Sequence, residues 1–420
     1  MNYLDVTLEK LSTRNIFLTG GAGVGKTTLT RTIITHFEHN AKKVAKLAST
    51  GMAATLLQGQ TLHSFFDLGI ADSLQELKNK NKYEIKKKVK KLIQTIDLIV
   101  IDEISMVSAD LFEMIVLRLQ QAEFQGKILV VGDFLQLPPV TKNTQKVSFA
   151  FESLGWKSLN FESIELTHIY RTTDRDFIAL LHHIRFGYVD ENIHNTLNSY
   201  IKPLPNDLSQ YTFLFGKNIS ALHHNTQQLQ HIDTEMFCFE AQVITHAKNT
   251  KEYEIQRFMD DARIDKELYI KIGAPVLFTR NAWNYFNGER GIVTKIDSDT
   301  IYVEKSDGKT IKLQQVAQEK TRWIEKDGEM VEESLLSVYQ FPIKLAFGIT
   351  IHKSQGMSIE NLIIQTNEIF APSQFYVALS RSSNPKSLIL IAPKKQWHQL
   401  IFVHQNALNY IQTLSHIQTT

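Results

Sequence analysis

Hydrophobic runs of strand length alternate with segments of helical hydrophobic spacing through the first 160 residues of the chain. The four runs are Ile16–Leu18, Val44–Ala48, Leu98–Ile101 and Ile128–Val131. This alternation predicts a parallel sheet with helices on both faces, because strands buried on both sides are apolar along their whole length. It returns later, with strands near 212–215, 361–365 and 387–391 and helices near 177–184 and 221–229. We therefore expect two α/β domains.

Residues 290–340 have a different pattern, in which short alternating strands are separated by the turn sequences Asp-Ser-Asp, Ser-Asp-Gly and Lys-Asp-Gly. This pattern predicts a small antiparallel β-module inserted into the second domain. Helical spacing returns in the last hydrophobic segment, at Trp397, Ile401, His404, Leu408 and Ile411. This segment predicts one amphipathic helix that packs on the second domain.

The length of 420 residues and the hydrophobic content of 43% support more than one buried core. No apolar run reaches the roughly 18 residues of a membrane span, and the first residues lack the character of a signal or transit peptide. We therefore expect a cytoplasmic protein with no membrane partner. The single cysteine, Cys238, excludes an internal disulfide and a multi-cysteine zinc site, which fits a reducing compartment.

The net charge is only +2, but residues 78–91 contain eight lysines and one glutamate. Such a basic segment indicates either a nucleic-acid contact or the solvated face of a helix. Ile85, Val89, Leu92 and Ile96 form an apolar stripe at helical spacing in and just after this segment. The stripe favours the solvated face for most of these lysines.

A complete G-x-x-x-x-G-K-T phosphate loop stands at residues 20–27, between an apolar run and a segment of helical spacing. At such a strand-to-helix turn, backbone N–H groups and the helix N-terminus point at phosphates. The residues expected to bind the nucleotide are Gly20, Gly21, Ala22, Gly23, Val24, Gly25, Lys26, Thr27 and Thr28. Lys26 would reach the β- and γ-phosphates, and Thr27 would place its hydroxyl on Mg²⁺. The chain is therefore expected to bind a nucleoside triphosphate.

Two later strand ends carry the groups that hydrolysis of a triphosphate requires. Asp102 and Glu103 follow the run Leu98–Ile101. Asp102 would hold Mg²⁺, and Glu103 would orient and deprotonate the attacking water. Gln136, after the next strand, would bond the γ-phosphate and the water. The alternatives are an acidic helix cap for the carboxylates and a plain turn around Gln136.

Nine runs, two of which contain these residues, match a known pattern in order and spacing. In the first half they are Thr50–Ala54, Gly59–Phe65, Ile101–Val107 and Gly132–Pro139. In the second half they are Ile169–Arg171, Ile184–Gly187, Asn287–Gly291, Ile349–Gly356 and Tyr376–Arg381. Together they resemble the motifs of the Pif family of superfamily 1 DNA helicases. This resemblance extends over about residues 15 to 392.

The resemblance implies an α/β fold of two RecA-like P-loop domains with parallel sheets, a small wedge insertion and an inserted SH3-like β-module. The implied first RecA-like domain comprises residues 1–65 and 85–160, with the wedge at 66–84. The implied second RecA-like domain comprises 161–289 and 341–420, with the SH3-like module at 290–340.

The resemblance also assigns site residues. ATP and Mg²⁺ would lie between the two domains, with Gly356 at the nucleotide and with Arg171 and Arg381 as arginine fingers on the γ-phosphate. The implied contacts with single-stranded DNA are Thr50, Gly51, His63, Ser64, Phe65, His352, Lys353 and Ser354. Surface ion pairs are the alternative for the two arginines, and a place in the core is the alternative for Phe65.

The implied function is that of a monomeric, ATP-dependent DNA helicase, which moves 5′ to 3′ on single-stranded DNA and unwinds duplex DNA. Its DNA partners would be single strands and tailed duplexes, with G-quadruplexes and RNA–DNA hybrids as further substrates, and its place would be at the nucleoid. The alternatives are a RecD-like or Dda-like helicase with a long hairpin wedge, and a DNA-binding switch that uses ATP without separating strands. The sequence names no protein partner.

The chain departs from the family pattern at three places. Residues 1–19 contain no glutamine of the kind that reads adenine in the family. Thr172 stands where the family usually has a glutamine, and Glu123–Gly126 is only similar to the family signature. The third departure, in a short segment between the strand with Asp102 and Gly132, favours a compact, bacterial-type member.

Overall fold

A computed structural model of the chain describes residues 3–49, 54, 57–69, 71–140, 146–246, 250–262, 264–280, 282–326 and 329–414. Among these residues, no helix has both the length and the apolar character needed to cross a bilayer.

The first domain is built on a six-stranded parallel sheet. Its strands are β1 (Ile16–Gly20), β2 (Val44–Ala48), β3 (Gln60–Thr61), β4 (Leu98–Asp102), β5 (Lys127–Val131) and β6 (Glu162–Leu166), in the order β3-β2-β4-β5-β1-β6. Its helices are α1 (Tyr3–Leu11), α2 (Lys26–His39), α3 (Leu62–Phe65), α4 (Leu74–Asn79), α5 (Lys87–Gln94), α6 (Ala109–Gln121) and α7 (Leu154–Leu159). Strand β1 lies in the interior of the sheet, between β5 and β6, and is buried along its whole length, which fits its apolar run Ile16–Leu18.

Beyond residue 166 the chain forms a second parallel sheet and a larger antiparallel part. The strands are β7 (Thr212–Phe215), β8 (Met236–Glu240), β9 (Gln242–Thr245), β10 (Glu267–Lys271), β11 (Pro275–Phe278), β12 (Arg290–Ile296), β13 (Ile301–Lys305), β14 (Thr310–Leu313), β15 (Val316–Lys326), β16 (Glu329–Gln340), β17 (Ile343–Leu345), β18 (Gly348–Thr350), β19 (Leu362–Ile364) and β20 (Ile389–Leu390). The helices are α8 (Arg175–Arg185), α9 (Glu191–Ser199), α10 (Asn218–Gln230), α11 (Glu252–Ala262), α12 (Gln374–Leu379), α13 (Trp397–Leu400) and α14 (Gln405–Thr413).

The parallel sheet of the second domain has the order β18-β7-β19-β20, so the prediction of two parallel α/β sheets is confirmed. The antiparallel part contains the five-stranded sheet β14-β13-β12-β11-β17. Strands outside 290–340 also belong to it, because β8 pairs with β10 and β9 pairs with β16. The long hairpin β15–β16 extends to the first domain, where Met330 is buried and Trp323 half-buried against the core.

The C-terminal segment differs from its prediction. It forms two helices rather than one, and only α13 packs on the second domain, through Trp397 and Leu400. The last helix, α14, buries Ala407 and Ile411 in the core of the first domain. Spacing identifies the apolar face of a helix but does not identify the core that covers it.

The lysine-rich segment is largely a solvated face, as the apolar stripe predicts. Ile85 and Val89 pack against the core of the first domain, while Lys86 pairs with Asp67 at 2.5 Å. Lys90 likewise pairs with Glu123 at 2.7 Å, so part of the positive charge is balanced within the domain.

Arg118 anchors the segment at 66–84, where the described residues contain helix α4 and no strand. Its side chain is almost fully buried and donates to the carbonyl oxygens of Phe66 at 3.1 Å and Tyr83 at 2.7 Å, and also to that of Lys82. One guanidinium therefore holds both ends of the segment. This compact segment contains no long hairpin of the kind expected for a RecD-like or Dda-like wedge.

We predict that Arg118→Met lowers the free energy of unfolding by about 3 kcal/mol, because it leaves buried carbonyl groups without donors. Urea denaturation measures this loss, and trypsin should cleave at the lysines of 78–91 faster than in the wild type. Arg175→Met removes an exposed arginine and is the matched control. Equal stability of the two variants would contradict the anchoring role.

Candidate functional site

The phosphate loop lies between β1 and α2, as the sequence predicts. Gly23 and Gly25 have φ values of 80° and 86°, a region that side chains disfavour. A Cβ atom on Gly23 would also lie 2.8 Å from Cβ of Arg171. Glycine is therefore required at residue 23 both by its backbone conformation and by the close approach of Arg171.

The residues of this loop fit a triphosphate. Helix α2 has no side-chain cap and no acidic residue in its first turn, so its N–H groups and positive dipole end remain available to an anion. Nζ of Lys26 donates to the carbonyl oxygens of Gly20 at 2.7 Å and Gly21 at 2.8 Å. Burial lowers the pKa of Lys26, which negative phosphate groups would raise again.

Asp102 and Glu103 lie where β4 ends, and both are half-buried. The N–H of Glu103 donates to Oδ1 of Asp102 at 2.8 Å. Loss of solvent raises the pKa of Asp102. Loss of solvent and the neighbouring Asp102 raise the pKa of Glu103 to about 7, although Lys26 and Arg381 act in the opposite direction. Glu103 also has φ of 53°, a strained value for a residue with a side chain and one that recurs at functional sites.

A buried ion pair next to this site joins the two domains. Asp133 follows β5, and Arg185 is the last residue of α8. Nε and Nη2 of Arg185 donate to the two carboxylate oxygens of Asp133, each at 3.0 Å. Burial alone would raise the pKa of Asp133, but the Arg185 charge and its hydrogen bonds hold that pKa below its ordinary value. Gln136 is buried beside the pair, and its amide lies 3.4 Å from Oδ2 of Asp133.

Helix α12 contacts the phosphate loop from the second domain. The N–H of Ala22 donates to the hydroxyl of Tyr376 at 2.8 Å. Burial raises the pKa of Tyr376 to about 12, so its hydroxyl keeps its proton. The contact places a hydroxyl of the second domain directly on the loop that would bind phosphate.

The two arginines expected as fingers are held by second-domain oxygens. Arg171 donates to Oγ of Ser358 at 2.9 Å and to the carbonyl of Ser380 at 2.7 Å. Arg381 is buried, and its Nη1 donates to the carbonyl of Ser354 at 3.2 Å. Burial lowers the pKa of Arg381 to about 10, against the attraction of Glu103. Both guanidinium groups are therefore positioned on the second-domain side of the nucleotide site.

A cavity of about 1090 Å³ lies between the two domains and the hairpin β15–β16. We call it the cleft. Its wall includes His63 and Ser64 from the first domain and Lys353 from the second. Nε2 of Gln60 donates to Oγ1 of Thr321 at 3.3 Å, which connects the first domain to the hairpin. Three of the expected DNA contacts are thus brought together around one space.

The other expected DNA contacts have different environments. Phe65 is buried and meets Phe66 edge-on at 5.0 Å, so its ring is part of the core and is not available to a base. The hydroxyl of Ser354 is buried and donates to the carbonyl of Ile351 at 2.7 Å, so it is not available to a phosphate. His352 is half-buried beside Lys353. Thr50 and Gly51 lie outside the described residues.

Gly356 is exposed and lines a second cavity, of about 680 Å³, together with Ser358, which accepts from Arg171. Gly356 therefore lies near Arg171, one of the two arginines expected as fingers.

Four residues of the site were not assigned roles by the sequence: Asp133, Tyr170, Arg185 and Tyr376. Each lies in or beside a run that resembles a family motif, which was the available signal. The ring of Tyr170 is 70% exposed and its Cδ2 lies 3.5 Å from the position of a Cβ on Gly25. An aromatic face at the mouth of the phosphate loop suits a nucleotide base.

A triphosphate in this loop would be enclosed by side chains from both α/β domains. This is the arrangement of a two-domain P-loop nucleoside triphosphatase. The PIF1-like helicase family model matches residues 4–195. The ATP-dependent DNA helicase Pif1 of Campylobacter jejuni is 43% identical over 407 residues, which cover 92% of this chain and 91% of that relative. The chain belongs to the PIF1-like helicase family, and it is an ATP-dependent DNA helicase.

Further relatives agree. The Pif1 helicase of Bdellovibrio bacteriovorus is 35% identical over 394 residues, covering 90% of this chain and 84% of that relative. Bacteroides Pif1 in complex with ADP-AlF4 is 29% identical with a TM-score of 0.83, covering 98% of this chain and 96% of that chain. Bacteroides Pif1 bound to ssDNA is 29% identical with a TM-score of 0.66, covering 97% and 95%.

We predict that Asp133→Asn lowers the free energy of unfolding by about 3–5 kcal/mol, because it removes the nearer and fully buried counter-ion of the Arg185 charge. Glu165→Gln is the control, since Glu165 contacts the same guanidinium only at 3.4 Å. That control should lose less, because Arg185 keeps Asp133 as its counter-ion. Urea denaturation of both variants measures the difference. Similar losses would show that Asp133 contributes no more to the free energy of unfolding than Glu165 does.

Proposed function

We propose that this helicase hydrolyses Mg²⁺-bound ATP between its two domains and moves 5′ to 3′ along a single DNA strand held in the cleft. The observation that carries the proposal is the adjacency of Lys353 and Ser354. Lys353 lines the cleft, while the carbonyl of Ser354 accepts from Arg381 at the nucleotide site. A shift of this turn by bound DNA would therefore move an arginine finger.

The cleft suits a single strand bound without sequence preference. His63, Ser64 and Lys353 offer an imidazole, a hydroxyl and an ammonium group, all of which bond phosphate or sugar oxygens. Binding of a single strand without sequence preference requires a positively charged groove and a surface on which bases can stack. The complex of Bacteroides Pif1 with ssDNA supports this choice of partner. We propose the monomer as the working form, and tailed duplexes, G-quadruplexes and RNA–DNA hybrids as substrates, with the nucleoid as the place of action.

The nucleotide site supports a division of roles. Thr27 and Asp102 would hold Mg²⁺, since hydroxyl and carboxylate oxygens are its preferred protein ligands. The metal, when bound, neutralises charge on the β- and γ-phosphates. Lys26 and the loop N–H groups would hold those phosphates, and Glu103 would take the proton of the attacking water.

The remaining groups of the site would act on the γ-phosphate and on the base. Arg171 and Arg381 would stabilise the charge that develops on the γ-phosphate, and Gln136 would orient the water. Tyr170 would stack on adenine, a contact that does not require the missing upstream glutamine.

We predict that Lys26→Ala abolishes ATP hydrolysis, because it removes the only lysine of the phosphate loop. Glu103→Gln should bind ATP normally but hydrolyse it at least about 100-fold more slowly, the size of a lost general base. Steady-state hydrolysis and binding of a fluorescent ATP analogue measure the two effects. Lys42→Ala and Glu9→Gln, both at exposed positions, are the controls. Near-normal turnover in either site variant would refute its assignment.

We predict strand displacement from a duplex with a 5′ single-stranded tail and none from the matched duplex with a 3′ tail. Gel separation of the strands, with ATP and Mg²⁺ and with Lys26→Ala as the inactive control, gives the result. Unwinding from the 3′ tail would refute the proposed direction. DNA-stimulated hydrolysis without unwinding of either duplex would instead indicate a switch that does not separate strands.

A further inference from the structure

The loop that connects β11 to β12, residues 279–289, presents two aromatic side chains to solvent. Trp283 is 93% exposed, more than any other large hydrophobic side chain in the part of the chain that the structure describes. Phe286, three residues later, is 66% exposed. Exposure of a complete indole ring is unfavourable in water, so a partner that covers it gains free energy.

Two backbone hydrogen bonds and one ring contact hold the conformation of the loop around Trp283. The N–H of Gly288 donates to the carbonyl of Phe278 at 2.8 Å, which closes the base of the loop. The N–H of Ala282 donates to the carbonyl of Tyr285 at 2.9 Å, which closes the bend that contains Trp283. The ring of Tyr285 stacks on Phe278 with centroids 4.3 Å apart and an interplanar angle of 17°. The exposed ring therefore lies on a supported bend, and its ordering costs little when it is covered.

The same loop begins in the wall of the cleft. Thr279 and Arg280 line the cleft, and Nη1 of Arg280 lies 3.5 Å from the carbonyl of Ala317 in the hairpin strand β15, which lines the same cleft. Three residues of chain extend at most about 11 Å, so Trp283 lies within that distance of Arg280. A strand that leaves the cleft beside Arg280 passes within reach of the indole.

We propose that Trp283 stacks on a base of the single strand at the mouth of the cleft, while Arg280 faces its phosphates. The inference rests on the proposed function of the cleft and adds a base contact to it. Every base has an aromatic face, so such a contact tolerates any sequence, as a translocating enzyme requires. A protein partner fits less well, because two side chains provide far less area than the roughly 800 Å² that each partner buries in a stable interface.

Intrinsic fluorescence tests the stacking directly, because the other tryptophans are shielded. Trp156 and Trp397 are buried, and Trp323 is half-buried in the hairpin. Titration with a dT oligonucleotide of about 16 nucleotides should quench the wild-type emission. The quench should be lost in Trp283→Phe and retained in Trp323→Phe. A quench of wild-type size in Trp283→Phe would overturn the proposal.

Affinity for the same oligonucleotide, labelled with a dye and followed by anisotropy, gives the second readout. Trp283→Ala should bind about 5- to 100-fold more weakly, Trp283→Phe should keep most of the affinity, and ATP hydrolysis without DNA should not change. Wild-type affinity in Trp283→Ala would overturn the stacking but leave the cleft assignment intact. No binding by the wild type would refute the proposed function itself. Self-association of the wild type that Trp283→Ala abolishes in sedimentation would assign the ring to a protein contact and also overturn the proposal.

Discussion

The buried ion pair between Asp133 and Arg185 fixes the position of the second domain at the phosphate loop. The two side chains are 0% and 6% exposed, so neither charge can be left without the other except at a cost of several kcal/mol. The end of β5 and the last turn of α8 must therefore stay at hydrogen-bonding distance. Tyr376 then contacts the loop at Ala22, and the close approach of Arg171 to Gly23 is maintained.

In the proposed function, communication between DNA and nucleotide would depend on a much smaller element. The turn at 351–354 is closed by a hydrogen bond in which the hydroxyl of Ser354 donates to the carbonyl of Ile351 at 2.7 Å. One of its residues lines the cleft and the next accepts a hydrogen bond from Arg381. Arg381 also interacts electrostatically with Glu103, so a short path leads from Lys353 in the cleft through Arg381 to Glu103 in the first domain. Such adjacency provides coupling without a long chain of intermediate contacts.

The parallel sheets and the phosphate loop could be predicted from the sequence because their signals are local. Strands such as β5 and β19 consist almost entirely of apolar residues, and the phosphate loop is recognised from the spacing of its glycines, lysine and threonine. The pair Asp133–Arg185 could not be predicted, since its members are 52 residues apart. The burial of Phe65 could not be predicted either. An aromatic residue beside polar motif residues suits a core and a binding surface equally, and only tertiary packing decides between them. The destination of α14 was missed for the same reason.

The return of α14 to the first domain has a mechanical consequence. The chain passes between the two domains twice, at 167–174 and again at 401–404, because the first domain contains both β6 and the final helix. The second domain is therefore tied to the first at both of its ends. Any displacement that separated the domains would have to extend both connections at once, so two connections permit fewer relative movements than one.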